Sequence, residues 1–200
     1  MNPGLIQFNG GSSAEVKSPV MNRRIWINAV LAAGVFAAFV AAMWYFAWRP
    51  SRIVDAANGF SIRFTAEWEV TGEGEGATLR ALRTMGVPQG GGTGVINVLV
   101  NTIANIPDAT AYRSWFVENM AKKFKGFARI QEGTRSGSEL KPPWILYVHR
   151  TDPDDLRVQV WQFFYVRGTR GYVVTCTAAP MHFESFRADF EEAVDSFKLE

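Results

Sequence analysis

The sequence predicts an α+β fold held behind a single transmembrane helix, on three observations. Residues 25–48 (IWINAVLAAGVFAAFVAAMWYFAW) carry no charged side chain. Beyond Gly59, apolar and polar residues alternate in several short runs, which is the pattern of half-buried strands. In two places, near 107–124 and 183–198, the apolar spacing lengthens to that of a helix.

The uncharged run makes a helix of roughly 36 Å, enough to cross a hydrocarbon core of about 30 Å with some tilt. Trp26 stands at one end and Trp44, Tyr45 and Trp48 at the other, as interfacial rings of a resident span do. The run outlasts the apolar stretch of a secretory signal, about 7–15 residues, so an uncleaved signal anchor is expected. Ala29, Ala33, Ala37 and Ala41 recur every fourth residue and share one helical face. That face either packs closely against another helix or reflects the abundance of alanine in such spans.

Residues 1–24, rich in Gly, Ser and Asn, are expected to be a flexible tail, and residues 49–58 a tether with a reach of at most about 33 Å. Basic residues near the span are balanced, Lys17, Arg23 and Arg24 before it against Arg49, Arg52 and Arg63 after it. Charge counting therefore leaves the orientation open.

The extramembrane domain is expected over 59–200. Phe60, Ile62 and Phe64 alternate with polar neighbours in a first strand, and Trp68 and Val70 follow in a second extended piece. Residues 77–83 and 94–101 read as two strands across a glycine-rich turn. Pro107-Asp108 opens a helix to about Phe124, with Asp108 or Thr110 as cap, Gly126 as stop, and Tyr112, Trp115, Phe116, Met120 and Phe124 as its apolar stripe. Strands return at 127–132, 144–151, 157–166 and 172–178, separated by turn-forming Asp-Pro and Gly-rich segments. A last helix runs from about Phe183 to Lys198, with Phe186, Phe190, Val194 and Phe197 facing inward. The expectation is an antiparallel sheet of six or seven strands between helical layers.

Asn58-Gly59-Phe60-Ser61-Ile62-Arg63-Phe64 with Trp68 resembles the opening of the PsbP and DcrB-like group. The ending Phe183-x-x-Phe186 through Val194-Asp195-Ser196-Phe197, after the strand Tyr172 to Ala178, is similar to that group's closing helix. Phe64-Thr65-Ala66 stands where the group has Tyr-Pro. The resemblance covers residues 58–199 and implies an α/β/α sandwich. It also implies a largely non-enzymatic role, as an extrinsic or assembly subunit, an envelope lipoprotein or a binding adaptor. Many such proteins act outside the cytoplasm, which favours a bacterial inner-membrane protein with a cytoplasmic N-terminus and a periplasmic domain.

Composition narrows the chemistry. Residues 1–52 hold five basic side chains and one acid, whereas residues 53–200 hold sixteen basic and eighteen acidic ones. The pI near 8.8 thus comes from arginines flanking the span, and nucleic acid is excluded as a partner. The lone Cys176 excludes an intramolecular disulfide and a Cys-based zinc site, and no lysine or arginine lies near it to activate the thiol. Gly86 to Gly94 lacks the lysine of a phosphate loop, and Asp152, Asp154 and Asp155 lack the later ligands of a calcium loop. No catalytic, cofactor-binding or metal residues are assigned, and no cofactor is expected. Lys122, Lys123, Lys125 and Arg129 cluster at a helix C-terminus, where they offset its dipole or meet an anionic partner or lipid headgroups.

The function expected is a single-pass, non-catalytic accessory or assembly subunit, docking on other subunits of a larger membrane complex, photosynthetic or respiratory. The alternative is a free-standing envelope protein that binds a small ligand or metal. An enzyme using His149 or His182 is a third class.

Overall fold

The computed structural model describes residues 34–43, 51–74, 77–85, 92–151 and 154–200. The chain divides into two units, Met1–Phe46 and Ala47–Glu200. In the first, residues 34–43 are α-helical, and the large side chains Val35, Phe36, Phe39 and Met43 are exposed. The rest of the expected span, 25–33 and 44–48, lies outside the described residues, as does the expected tail, 1–24. Among the described residues no helix is long and apolar enough to cross a membrane.

The second unit begins earlier than its sequence pattern suggests. Ser51–Asp55, expected to be tether, forms strand β1, antiparallel to β2 (Phe60–Phe64) with Ile53 opposite Ile62. The tether expectation for 49–58 is corrected accordingly: no more than Arg49 and Pro50 separate the end of the apolar run from a strand. The alternation in β1 is weak because only Ile53 turns toward the core. The Asp55 carboxylate accepts hydrogen bonds from the Asn58 backbone and side chain at 3.0 and 2.7 Å, and Gly59 (φ +73°) completes the turn.

The remaining strands are β3 (Glu69–Gly74), β4 (Ala77–Met85), β5 (Gly92–Thr102), β6 (Ala128–Thr134), β7 (Pro143–Arg150), β8 (Arg157–Arg167), β9 (Arg170–Ala178) and β10 (Lys198–Leu199). Helix α1 spans Ala109–Lys123 and α2 spans Phe183–Ser196. Seven strands form one sheet in the order β3-β4-β5-β9-β8-β7-β6, and β1-β2-β10 form a second, smaller sheet. Every pairing is antiparallel.

The period of two divides the large sheet's side chains between two cores. On one face, Ile96, Val98, Phe163, Val174 and Cys176 pack with Phe183, Phe186, Phe190 and Val194 of α2 and Phe60, Ile62 and Phe64 of β2. On the other, Ile145, Tyr147, Phe164 and Val173 pack with Tyr112 and Phe116 of α1. The expected layering, a sheet between helices, is therefore present, with the small sheet sharing the α2 side.

Three local expectations are corrected. Trp115, expected on the inner stripe of α1, is 52% exposed, because α1 rests on β7 and β8 and of its side chains Tyr112 and Phe116 are the buried ones. Helix α2 stops at Ser196, not Lys198. The Ser196 hydroxyl accepts the Arg63 N–H at 2.8 Å, Phe197 turns extended (φ −65°, ψ 128°), and Lys198–Leu199 pair with β2 as β10. The expected sheet of six or seven strands is the seven-stranded one, but the 60–64 strand belongs instead to the small sheet, whose β1 and β10 were not expected.

Candidate functional site

The basic cluster expected at the end of α1 sits on an exposed corner. Asp108 caps the helix start, its side chain accepting the Ala111 N–H at 2.8 Å, and Gly126 (φ +65°) lets the chain leave after Lys123. Lys122 and Lys123 occupy the last turn, where positive charge opposes the helix dipole. Both are exposed, and neither has an ion-pair partner among the described residues.

The other two members of the cluster are paired. Lys125 Nζ lies 3.1 Å from Asp155, which also accepts from Arg150 Nη1 at 2.8 Å, and Arg129 Nη1 lies 3.1 Å from Glu132. The hydrogen bond from Lys125, followed by the charges of Arg150 and Lys125, holds the Asp155 carboxyl below the usual aspartate range. Beside this corner a groove of about 290 Å3 between α1 and β6 is lined by Arg113, Ser114, Val117, Glu118, Arg129 and Glu132. Its two cations face two acids, so it offers no net attraction to an anion. Of the expected patch, Lys122 and Lys123 are the members free to meet a partner.

The alanine face is only partly placed. Ala37 and Ala41 lie on the exposed 34–43 helix, four residues apart and hence on one side of it, whereas Ala29 and Ala33 lie outside the described residues.

The two histidines lie on opposite sides of the sheet. His149 stacks on Phe124 beneath the end of α1, with ring centroids 4.1 Å apart and Nδ1 3.0 Å from the Arg150 carbonyl oxygen. His182 precedes α2 on the other face. Burial pushes the Cys176 thiol well above its ordinary value, so it remains protonated at neutral pH. Among the described residues no group of three or more His, Cys, Asp or Glu side chains is placed to hold a metal. Of the glycine-rich segment, residues 86–91 lie outside the described residues, while 92–94 open β5 opposite 83–85 of β4.

One polar row escaped the sequence reading. Arg80 faces Asn97, Asn97 faces Thr175, and Thr175 faces Gln162, one residue on each of β4, β5, β9 and β8. Gln162 Nε2 donates to Thr175 Oγ1 at 3.1 Å, and Gln162 Oε1 and Asn97 Oδ1 are buried without a hydrogen-bond partner among the described residues. Each member is one polar position in an alternating strand. Nothing in the linear sequence says that four strands bring them into register.

No family model matches the chain, and no curated protein matches it. Solved structures do. Cyanobacterial PsbP (CyanoP) from Synechocystis sp. PCC 6803 is 12% identical, with 77% of this chain and 94% of that one covered and a TM-score of 0.53. LpqN, involved in cell envelope biogenesis of Mycobacterium tuberculosis, is 10% identical, with 76% and 90% covered and a TM-score of 0.51. These likenesses concern the fold, and they agree with the resemblance carried by the opening strand and closing helix. The unit that begins with β1 and ends with β10 has the PsbP-like fold.

Proposed function

We propose that this chain is a single-pass membrane-anchored, non-catalytic accessory or assembly subunit whose PsbP-like domain docks on a larger membrane complex. The observation that carries the reading is the 34–43 helix. Val35, Phe36, Phe39 and Met43 are 59–70% exposed there, at the centre of an uncharged run of span length. A helix apolar all round is at home in a protein core or in lipid. The fold supports a partner-binding role by analogy alone.

In this reading residues 25–48 cross the bilayer, the N-terminus is cytoplasmic and the domain periplasmic, as the resemblance to envelope proteins suggests. The Ala29, Ala33, Ala37 and Ala41 face packs against a partner helix, and Lys122 and Lys123 lie where the domain meets the same partner. Small residues favour such packing because, without water to expel, association in lipid rests on close van der Waals fit.

The experiment is affinity purification in mild detergent of the parent and of Ala33→Leu/Ala37→Leu. The parent is expected to bring stoichiometric membrane subunits with it, and the leucine variant to lose them while still inserting. Equal recovery from both would remove the alanine face from the interface.

A further inference from the structure

A second basic cluster lies on the small sheet, apart from α1. Arg52 of β1 stands directly opposite Arg63 of β2, and Lys198 of β10 pairs with Ser61 two residues away on the same strand. With Ser196 these three cations line a depression of about 200 Å3. Ser196 is already committed, accepting the Arg63 N–H at 2.8 Å and donating to the Ala193 carbonyl oxygen at 2.7 Å. Arg52 donates to Glu200 Oε1 at 2.9 Å and to Ser61 Oγ at 3.1 Å. The Arg63 guanidinium and the Lys198 ammonium are exposed, and among the described residues neither makes a side-chain hydrogen bond or close ion pair, although the charge of Lys198 acts on the Glu200 carboxylate.

Like charges directly opposite across two strands repel. The fold here keeps such a pair and adds a third cation beside it, while the Glu200 carboxylate pairs with Arg52 and Lys198 also borders a groove that holds Glu139 and Asp195. The cluster's unmet need is an anion with several acceptor oxygens.

Its place in the chain names the anion's source. Ser51 opens β1, and the proposed span ends at Trp48. The four Cα steps from Trp48 to Arg52 cover at most about 14 Å, so Arg52 cannot move far from the headgroup layer. We propose that Arg52, Arg63 and Lys198 form a site for the phosphate of anionic phospholipid headgroups, which fixes the small sheet against the bilayer. This inference rests on the membrane-anchor reading above. It deepens that reading by giving the domain a defined side toward the membrane.

The test uses the full chain in nanodiscs, made either of phosphatidylcholine alone or with added phosphatidylglycerol. Val54 shares the outer face of β1 with Arg52 and is 56% exposed, so Val54→Cys accepts a fluorophore while the buried Cys176 does not react. Quenching of that fluorophore by headgroup-labelled lipid is expected to rise with phosphatidylglycerol and to fall again as salt screens the contact. An exposed cation near an anionic surface contributes about fivefold, so Arg63→Gln/Lys198→Gln is expected to lower the ratio of docked to undocked domain by roughly 25-fold.

Equal quenching in both bilayers, or equal quenching in parent and double variant, overturns the headgroup site. So does binding of inorganic phosphate, seen as amide shifts at Arg63 and Lys198 in phosphatidylcholine discs, without any gain in lipid contact when phosphatidylglycerol is added. Release of the chain from membranes by alkaline carbonate would instead defeat the anchor reading, and this inference with it.

Discussion

The indole of Trp68 meets the ring of Phe190 with centroids 6.0 Å apart and planes tilted by 51°. This contact joins the opening strand segment to the closing helix, the two stretches that carry the family resemblance. Phe190 also touches Phe183 and Phe186, and it is fully buried.

Phe190→Ala leaves a cavity among these rings and is expected to destabilise the domain by about 3–5 kcal/mol. At roughly 2–4 °C per kcal/mol for a domain of this size, its Tm should fall by about 10 °C. Thermal denaturation of the full chain, followed by near-ultraviolet circular dichroism, reads the change. A Tm within a degree or two of the parent would refute the packing of α2 on this face.

The opposite face depends on a close approach. A Cβ at position 171 would lie 2.7 Å from the Tyr112 ring, which covers the start of β9. Gly171→Ala therefore pushes α1 off the sheet, at a cost of about 1–3 kcal/mol for overpacking. Combining it with Tyr112→Ala removes the clash, so the double variant should lose less than the sum of the single losses. Strict additivity in denaturant melts would contradict the contact.

Cys176 supplies a prediction about pH. Its folded thiol is held neutral by burial, whereas an unfolded thiol ionises near pH 8.5. The stabilising contribution is full below that value and is lost as pH rises above it, because only the unfolded chain releases the proton. Iodoacetamide at pH 8.5 should leave the native protein unmodified and alkylate it in denaturant. Rapid native labelling would contradict the burial.

Asp155 carries the opposite shift. Lys125 and Arg150 hold its carboxyl below the ordinary aspartate value, so the paired form persists above about pH 3.9 and dissolves as pH falls through the lowered value. A carbon-detected NMR titration should place its midpoint below that of an exposed aspartate. Lys125→Met should move the midpoint back toward the ordinary value, and an unchanged midpoint would contradict the pairing.

The fold was legible wherever one side of an element is buried. Phe60, Ile62 and Phe64 in β2, and Phe186, Phe190 and Val194 in α2, repeat at the period of their element and point to the core. The signal faded where burial is partial. In β1 only Ile53 turns inward, and β10 has two residues, so both were hidden behind their neighbours. Trp115 misled because aromatic character is not burial on a helix that covers two strands. For the candidate sites, the chain-local cluster 122–129 could be read from sequence, but the pairing of Lys125 with Asp155 and Arg129 with Glu132 could not. The depression lined by Arg52, Arg63 and Lys198 joins the β1–β2 hairpin to β10 at the other end of the domain, and only strand pairing brings Lys198 to the two arginines.

The proposed role as an anchored subunit of a larger assembly meets its most direct test in the native size of the full chain in mild detergent. Light scattering coupled to size exclusion separates protein mass from bound detergent. The expected result is elution of the chain with a membrane complex many times its own mass, at constant stoichiometry across the peak. Elution as a single chain in its own micelle would contradict the role.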